Sequence, residues 1–248
     1  MLMPMPQPDM QGRQDRSGRG EPIFNIPGVV IALIAICVAV YVYQNYLISE
    51  EQNFAFIRDY ALIPARFLIG NGFADPASLF TLVSYSVMHG GIEHIVVNMI
   101  WLAAFGSPLA GRIGTGRMIA FWIVTSVLAG LTHYALYPES VTPLVGASGA
   151  ISGMMGASAR YGFRRVNFGR RAEFAGPLLP IGLTLTLKPV LTFVGIWFLI
   201  NIVTGLYTTG GGGLSGIAWE AHIGGFIAGF FGIALFDQPR SYDAVLRR

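Results

Sequence analysis

Apolar residues are concentrated in six long runs that alternate with short polar or charged segments along the chain. The first run covers residues 26–47 without a charged side chain. At about 1.5 Å per residue, a helix of this length crosses the hydrocarbon core of a bilayer, which is about 30 Å thick. The other runs cover residues 95–109, 118–137, 144–159, 189–207 and 217–236. The pattern predicts an all-α polytopic membrane protein whose single domain, residues 26–237, has six transmembrane helices.

The composition also indicates a membrane protein. Hydrophobic residues make up 53% of the chain and charged residues 12%, about half the charged fraction of a typical soluble domain. Residues 1–25 are rich in Pro, Gly, Gln and Arg and lack periodic apolar positions, which predicts a disordered tail. Residues 238–248 are expected to form a second, short tail. The single cysteine, Cys37, excludes a disulfide within the chain.

The basic residues predict the orientation of the helices. If the N-terminal tail is cytoplasmic, then of the 16 Lys and Arg residues all but Arg58 and Arg66 fall on the cytoplasmic side. This bias is typical of membrane proteins and predicts that both tails are cytoplasmic. A basic face beside anionic lipid accounts for the net charge of +3, so no nucleic-acid partner is expected.

Three polar side chains are expected at one shallow depth below the outer surface. In this topology the second, fourth and sixth runs begin at the outer face. His94 stands at the start of the second run, and Ser148 and His222 lie in the first two turns of the fourth and sixth. Ionisable side chains inside a membrane usually pair with one another or face a wet cavity. The fourth run spans only about 24 Å as a helix, so its end must be enclosed by other helices and meet a polar cavity. The three side chains could therefore share one site that water reaches.

Small residues on the fourth and sixth runs would allow those two helices to approach closely. Gly146 and Gly149 flank the serine, and Gly225 and Gly229 follow the histidine. Alone, the sequence Gly-Ala-Ser-Gly-Ala is more typical of a packing surface than of a catalytic site. A serine beside a neutral imidazole, however, can become a nucleophile.

The second run supplies donors for the oxyanion that such a nucleophile creates. His94 and Asn98 are four residues apart and therefore lie on one face of a helix. Hydrolysis of an amide requires hydrogen-bond donors fixed at the place where this negative charge develops. The set predicts a serine hydrolase site, with no metal ion and no cofactor.

Three motifs together resemble those of the rhomboid intramembrane serine proteases. They are a His-x-x-x-Asn pair in the second run, Gly-x-Ser-Gly opening the fourth, and Ala-His followed by two glycines in the sixth. Here they read His94 to Asn98, Gly146 to Gly149, and Ala221 to Gly225. The resemblance covers residues 27–236 and implies a rhomboid-like bundle with a short central fourth helix.

The resemblance also implies a role for each of these residues. Ser148 would be the nucleophile and His222 the general base, which later donates a proton to the leaving amine. His94, Asn98 and the backbone N–H of Ser148 would hold the oxyanion. His89 matches a further family histidine that braces the first loop.

The chain departs from the family pattern at two places. Ser152 stands where many rhomboids have an aromatic residue over the imidazole, so the group that orients His222 is not evident from the sequence. The Trp-Arg pair of some members is absent from residues 49–78.

His133 and Asn201 are interpreted as interhelical hydrogen-bonding residues. Glu220 is expected to be solvated at the outer interface.

The sequence therefore predicts an endopeptidase that cleaves transmembrane helices of other proteins near the outer leaflet. It would act in the lipid bilayer, with a bacterial inner membrane as the expected location. A non-catalytic relative that binds or escorts transmembrane segments is the main alternative. A small transporter is the second, although the runs show neither paired repeats nor deep acidic residues. The natural substrate and the oligomeric state are not evident from the sequence.

Overall fold

The computed structural model describes residues 26–168, 171–209 and 218–237, so both predicted tails lie outside the described residues. The described chain is mostly helical. The helices are α1 (Gly28–Val42), α2 (Glu50–Tyr60), α3 (Pro76–Ser84), α4 (Ile92–Trp101), α5 (Ser107–Ile113), α6 (Thr115–Leu136), α7 (Ser148–Arg160), α8 (Ile181–Thr184), α9 (Lys188–Thr209) and α10 (Trp219–Gly232). Two strands, β1 (Arg165–Phe168) and β2 (Arg171–Phe174), pair as an antiparallel hairpin.

Helices occur at all six positions that the apolar runs predict. Four of them are long and apolar enough to cross a membrane, over Gly28–Leu47, Ile92–Ile113, Thr115–Leu136 and Lys188–Gly205. The first two include π-helical turns, Tyr43–Leu47 and Leu102–Gly106, that join adjacent helical segments or extend them. The six-span count and the cytoplasmic position of both tails stay predictions.

The fourth predicted helix begins four residues later than expected. Leu144 is apolar but extended, and its backbone exchanges two hydrogen bonds with Leu62. Gly146 then has a φ of +130°, which no helix can accommodate, so α7 begins at Ser148. The resulting helix has 13 residues and is about 20 Å long, shorter than the hydrocarbon core.

Helix α7 is the centre of the bundle. Every residue from 149 to 160 is buried, and its most extensive contact is with α10. A Cβ on Gly225 would overlap the Gly149 carbonyl oxygen, and a Cβ on Gly229 would overlap the Gly153 carbonyl oxygen. The two backbones are thus in direct contact, as the small residues predict.

A buried charged cluster connects the opposite end of α10 to α5. The fully buried Arg112 guanidinium donates to Asp237 at 2.8 Å, and the Tyr161 hydroxyl donates to the same carboxylate at 2.7 Å. Removing either Arg112 or Asp237 would leave the other charge uncompensated, so the cluster ties the segment after α10 to α5 and to the end of α7.

Some described elements were not predicted from the sequence. Helix α2 has a complete capping box, in which Ser49 and Gln52 bond each other's backbone N–H groups. The Asp75 carboxylate accepts from two N–H groups in the first turn of α3. Together with the hairpin, these elements form parts of the connections between the long helices.

Candidate active site

Ser148 is placed by the sharp turn that precedes α7. The positive φ of Gly146 reverses the chain, and the Gly146 N–H donates to the Tyr85 carbonyl at 3.0 Å. A Cβ on residue 146 would lie 2.8 Å from Nε2 of His94 and 3.5 Å from Oγ of Ser148. Glycine is therefore required here both by the backbone conformation and by the closeness of His94.

The structure brings Ser148 and His222 into hydrogen-bonding contact. Ser148 is the first residue of α7, and His222 lies in the first turn of α10. The Ser148 Oγ and His222 Nε2 atoms are 2.8 Å apart, and both residues are partly exposed. This distance is normal for a hydroxyl that donates to an imidazole nitrogen.

The other ring nitrogen of His222 contacts Asn201 on α9. Nδ1 of His222 and Oδ1 of Asn201 are 2.6 Å apart, while Nδ2 of Asn201 donates to the Trp197 carbonyl at 2.7 Å. Because its amide nitrogen is bonded to a carbonyl, Asn201 presents its oxygen to His222, so Nδ1 must carry the proton. The lone pair is then on Nε2, the nitrogen that faces Ser148.

His89, His94 and Asn98 lie close together at the start of α4, and His94 is the one that reaches the turn before Ser148. The His94 ring lies beside Gly146, and the buried His89 ring packs edge-on against it with centroids 5.1 Å apart. The Asn98 side chain is buried one turn further along α4 and donates to the His94 carbonyl at 2.8 Å. His94 is thus adjacent to Ser148, whereas the described bond of Asn98 is to its own helix.

The backbone N–H of Ser148 is the first N–H of α7. No side chain caps this N-terminus. The first N–H groups of a helix have no intrahelical partner and carry partial positive charge. The N–H of Ser148 is therefore suited to an oxyanion.

Among the described residues, no group of three or more His, Cys, Asp or Glu side chains could hold a metal ion.

Asn201 and Glu220 have contacts that the sequence does not reveal. Asn201 forms an interhelical hydrogen bond, as predicted, and the structure identifies its partner as the ring of His222. Glu220 is only 4% exposed, contrary to its expected solvation, because Nδ1 of His133 on α6 lies 2.5 Å from its carboxylate. A carboxylate buried in this way needs such a partner.

The turn at Gly146 supports a first prediction. Gly146→Ala is expected to lower the labelling rate of Ser148 by a serine-reactive fluorophosphonate about tenfold, since the new Cβ collides with His94 in a strained backbone, at a cost of roughly 1–3 kcal/mol. Gly91→Ala is the matched control, because Gly91 has an extended φ of 179° and no atom other than those of its chain neighbours lies within 4 Å of its Cβ position. Equal labelling of the two variants would contradict the prediction.

Comparisons with known proteins agree with this architecture. A family model described as "Rhomboid domain" matches residues 76–238. The rhomboid protease GluP of Bacillus subtilis (strain 168) is 28% identical over 160 residues, covering 64% of this chain and 26% of that protein. The rhomboid protease GlpG of Enterobacter sp. (strain 638) is 24% identical over 188 residues, covering 73% of this chain and 58% of that protein.

A plant protein matches this chain at a comparable identity and over a comparable share of its length. RHOMBOID-like protein 4 of Arabidopsis thaliana is 30% identical over 159 residues, covering 64% of this chain and 34% of that protein. The chain thus matches between about a quarter and three fifths of the length of these relatives. Because the family model covers more than half of the chain and the helices are apolar, this integral membrane protein belongs to the rhomboid family.

Proposed function

We propose that this protein is an intramembrane serine endopeptidase that cleaves transmembrane helices of other membrane proteins. The observation that carries the proposal is the 2.8 Å contact between Ser148 Oγ and His222 Nε2, at the N-terminus of an uncapped helix. The rhomboid proteases among the relatives support it. The alternative is a non-catalytic family member that binds transmembrane segments.

The first half of the proposed reaction acylates Ser148. The Ser148 oxygen attacks the carbonyl carbon of the scissile peptide while its proton passes to Nε2 of His222. The carbonyl oxygen gains the negative charge and accepts hydrogen bonds from the Ser148 N–H and from His94 or Asn98. The C–N bond then breaks, and the Nε2 proton goes to the leaving amine.

The second half restores the enzyme. A water molecule gives a proton to Nε2 of His222 and attacks the acyl carbon. The ester bond to Ser148 then breaks, and the proton returns to the serine oxygen. No cofactor or metal ion takes part in either half of the proposed reaction.

The substrate must expose a peptide bond to Ser148. Helical carbonyls are bonded within their own helix, so the substrate has to unwind locally, which favours glycine and other weak helix formers near the cleavage site. The distribution of basic residues leads us to propose that the site faces the outer side of a bacterial inner membrane.

The test is direct cleavage in a lipid bilayer. The wild-type protein and Ser148→Ala, each in liposomes with a single-span substrate, are compared by mass spectrometry of the fragments. We expect one cleavage site within the apolar segment, and fragments only with the wild type. Substrate that co-purifies uncut with the wild type in every lipid tested would favour the non-catalytic alternative.

A further inference from the structure

The position of Asn201 on α9 is unusual for that helix. Helix α9 is the least enclosed of the four long apolar helices, with 17% of its apolar window buried. Over residues 188–205, the only buried residues are Val190, Asn201 and Gly205. Asn201, only 6% exposed, is therefore the one polar side chain that this part of α9 buries in the bundle.

In the first half of α9, ring contacts hold the helix against its neighbours. Phe193 packs edge-on against Phe163 with centroids 4.8 Å apart, and the Trp197 ring stacks on Phe226 of α10 at 5.0 Å. These contacts fix the helix but leave the orientation of His222 undetermined. One turn beyond Trp197, Asn201 makes the hydrogen bond to Nδ1 of His222.

Both polar groups of the Asn201 amide are engaged, which fixes its orientation. The Nδ2 group donates to the Trp197 carbonyl on its own helix, so the amide cannot rotate without losing a hydrogen bond in a buried position. The oxygen that remains accepts from Nδ1–H of His222. An imidazole held in this way can serve as a base only through Nε2.

We propose that Asn201 is the positioning residue of the catalytic base. It selects the Nδ1–H tautomer of His222 and holds the ring in line with Ser148. The proposal rests on the function proposed above. It also makes the competence of His222 depend on α9 lying against α10, because the bond crosses between these two helices.

The first experiment measures the rate at which a fluorophosphonate labels Ser148. This small probe reports activation of the serine without entry of a transmembrane substrate. Asn201→Ala is expected to slow labelling about 10- to 30-fold, as for the loss of a group that orients an essential histidine. Ile200→Ala is the matched control, because the adjacent Ile200 is 56% exposed, and its rate is expected to match the wild type.

A kinetic comparison separates positioning from substrate binding. With a single-span substrate, Asn201→Ala is expected to lower kcat by the same factor and to leave KM within about twofold, since only the chemical step is affected. A labelling rate within twofold of the wild type, or a loss confined to KM, would overturn the proposal.

A spectroscopic experiment tests the tautomer without requiring activity. The chain has 4 histidines, so ¹⁵N-histidine labelling gives few signals. The two ring-nitrogen signals of His222 are assigned by their absence from the spectrum of His222→Ala. We expect a protonated Nδ1 in the wild type and a mixture of tautomers in Asn201→Ala. The same tautomer in both proteins would overturn the proposal, whatever the rates.

Asn201→Asp retains an oxygen acceptor and provides the rescue. It is expected to restore the Nδ1–H signal. It should also recover at least a third of the loss that Asn201→Ala causes in the logarithm of the labelling rate. Restoration of the signal with labelling as slow as in Asn201→Ala would overturn the proposal. Failure of the proposed function is distinguishable, because a wild type that neither labels nor cleaves would still show the Nδ1–H signal.

Discussion

Replacing either Ser148 or His222 by alanine is expected to lower the cleavage rate by roughly 10⁵-fold or more, and replacing both is expected to cost no more than either change alone. The reason is that each residue acts only through the other. Without the imidazole the hydroxyl keeps its proton, and without the hydroxyl the imidazole has no nucleophile to activate. In the proposed reaction, their 2.8 Å contact would make the two a single functional unit.

The measurement is a double-mutant cycle on kcat/KM with a single-span substrate in liposomes. Ser152→Ala is the matched control, since Ser152 is one turn further along α7 and 3% exposed. Its rate is expected to remain within about tenfold of the wild type. Losses from the two single variants that add up in the double variant would show that the residues act independently, which contradicts the dyad.

The pairing of α7 with α10 could be predicted from the sequence because two local signals point to it. Intramembrane histidine needs a polar partner, and the glycines at 149, 225 and 229 indicate close helix packing. Both signals are properties of the residues themselves, independent of how the other helices are arranged. The structure accordingly brings Ser148 and His222 into contact.

The partner of the second imidazole nitrogen could not be predicted in the same way. An asparagine in an apolar helix is equally consistent with any interhelical hydrogen bond, and its partner depends on the rotation of α9 against α10. Glu220 differed from expectation for a related reason. It was expected to be solvated because it lies near a helix end, but His133 of α6 covers it, and only the tertiary structure reveals this contact.

The start of α7 shows a limit of hydropathy. Leu144 and Val145 are as apolar as the helix that follows, so the run predicts a helix from residue 144. The backbone of Leu144 instead pairs with Leu62, and Gly146 adopts a positive φ. Apolar character predicts the helix, whereas the turn before Ser148 depends on hydrogen bonds to distant residues.

A second large effect is expected from Gly225→Ala. The new methyl group would overlap the carbonyl oxygen of Gly149, the residue after the serine, so α10 must move away from α7 beside the dyad. A displacement of about 1 Å at a reacting pair can cost about 100-fold in rate. We expect a loss of this size in both fluorophosphonate labelling and substrate cleavage.

The same substitution is expected to destabilise the protein by about 1–3 kcal/mol, because the overlap involves backbone atoms that cannot rotate away. This cost exceeds the gain of up to about 1 kcal/mol that alanine offers over glycine within a helix. The measurement is the midpoint of unfolding in detergent, followed by helical circular dichroism. Gly232→Ala is the matched control on α10, since no atom beyond its chain neighbours and its own helix backbone lies within 4 Å of its Cβ position. It is expected to keep wild-type stability and rate.

Gly229→Ala separates the effect on stability from the effect on the dyad. Its methyl group would overlap the Gly153 carbonyl oxygen, about one turn further from His222 than the contact at Gly225. We expect a loss of stability similar to that of Gly225→Ala but a smaller loss of labelling rate, because α10 can pivot about the new contact. If Gly225→Ala instead labels Ser148 as fast as Gly232→Ala does, the close approach of α7 and α10 does not determine the geometry of the dyad.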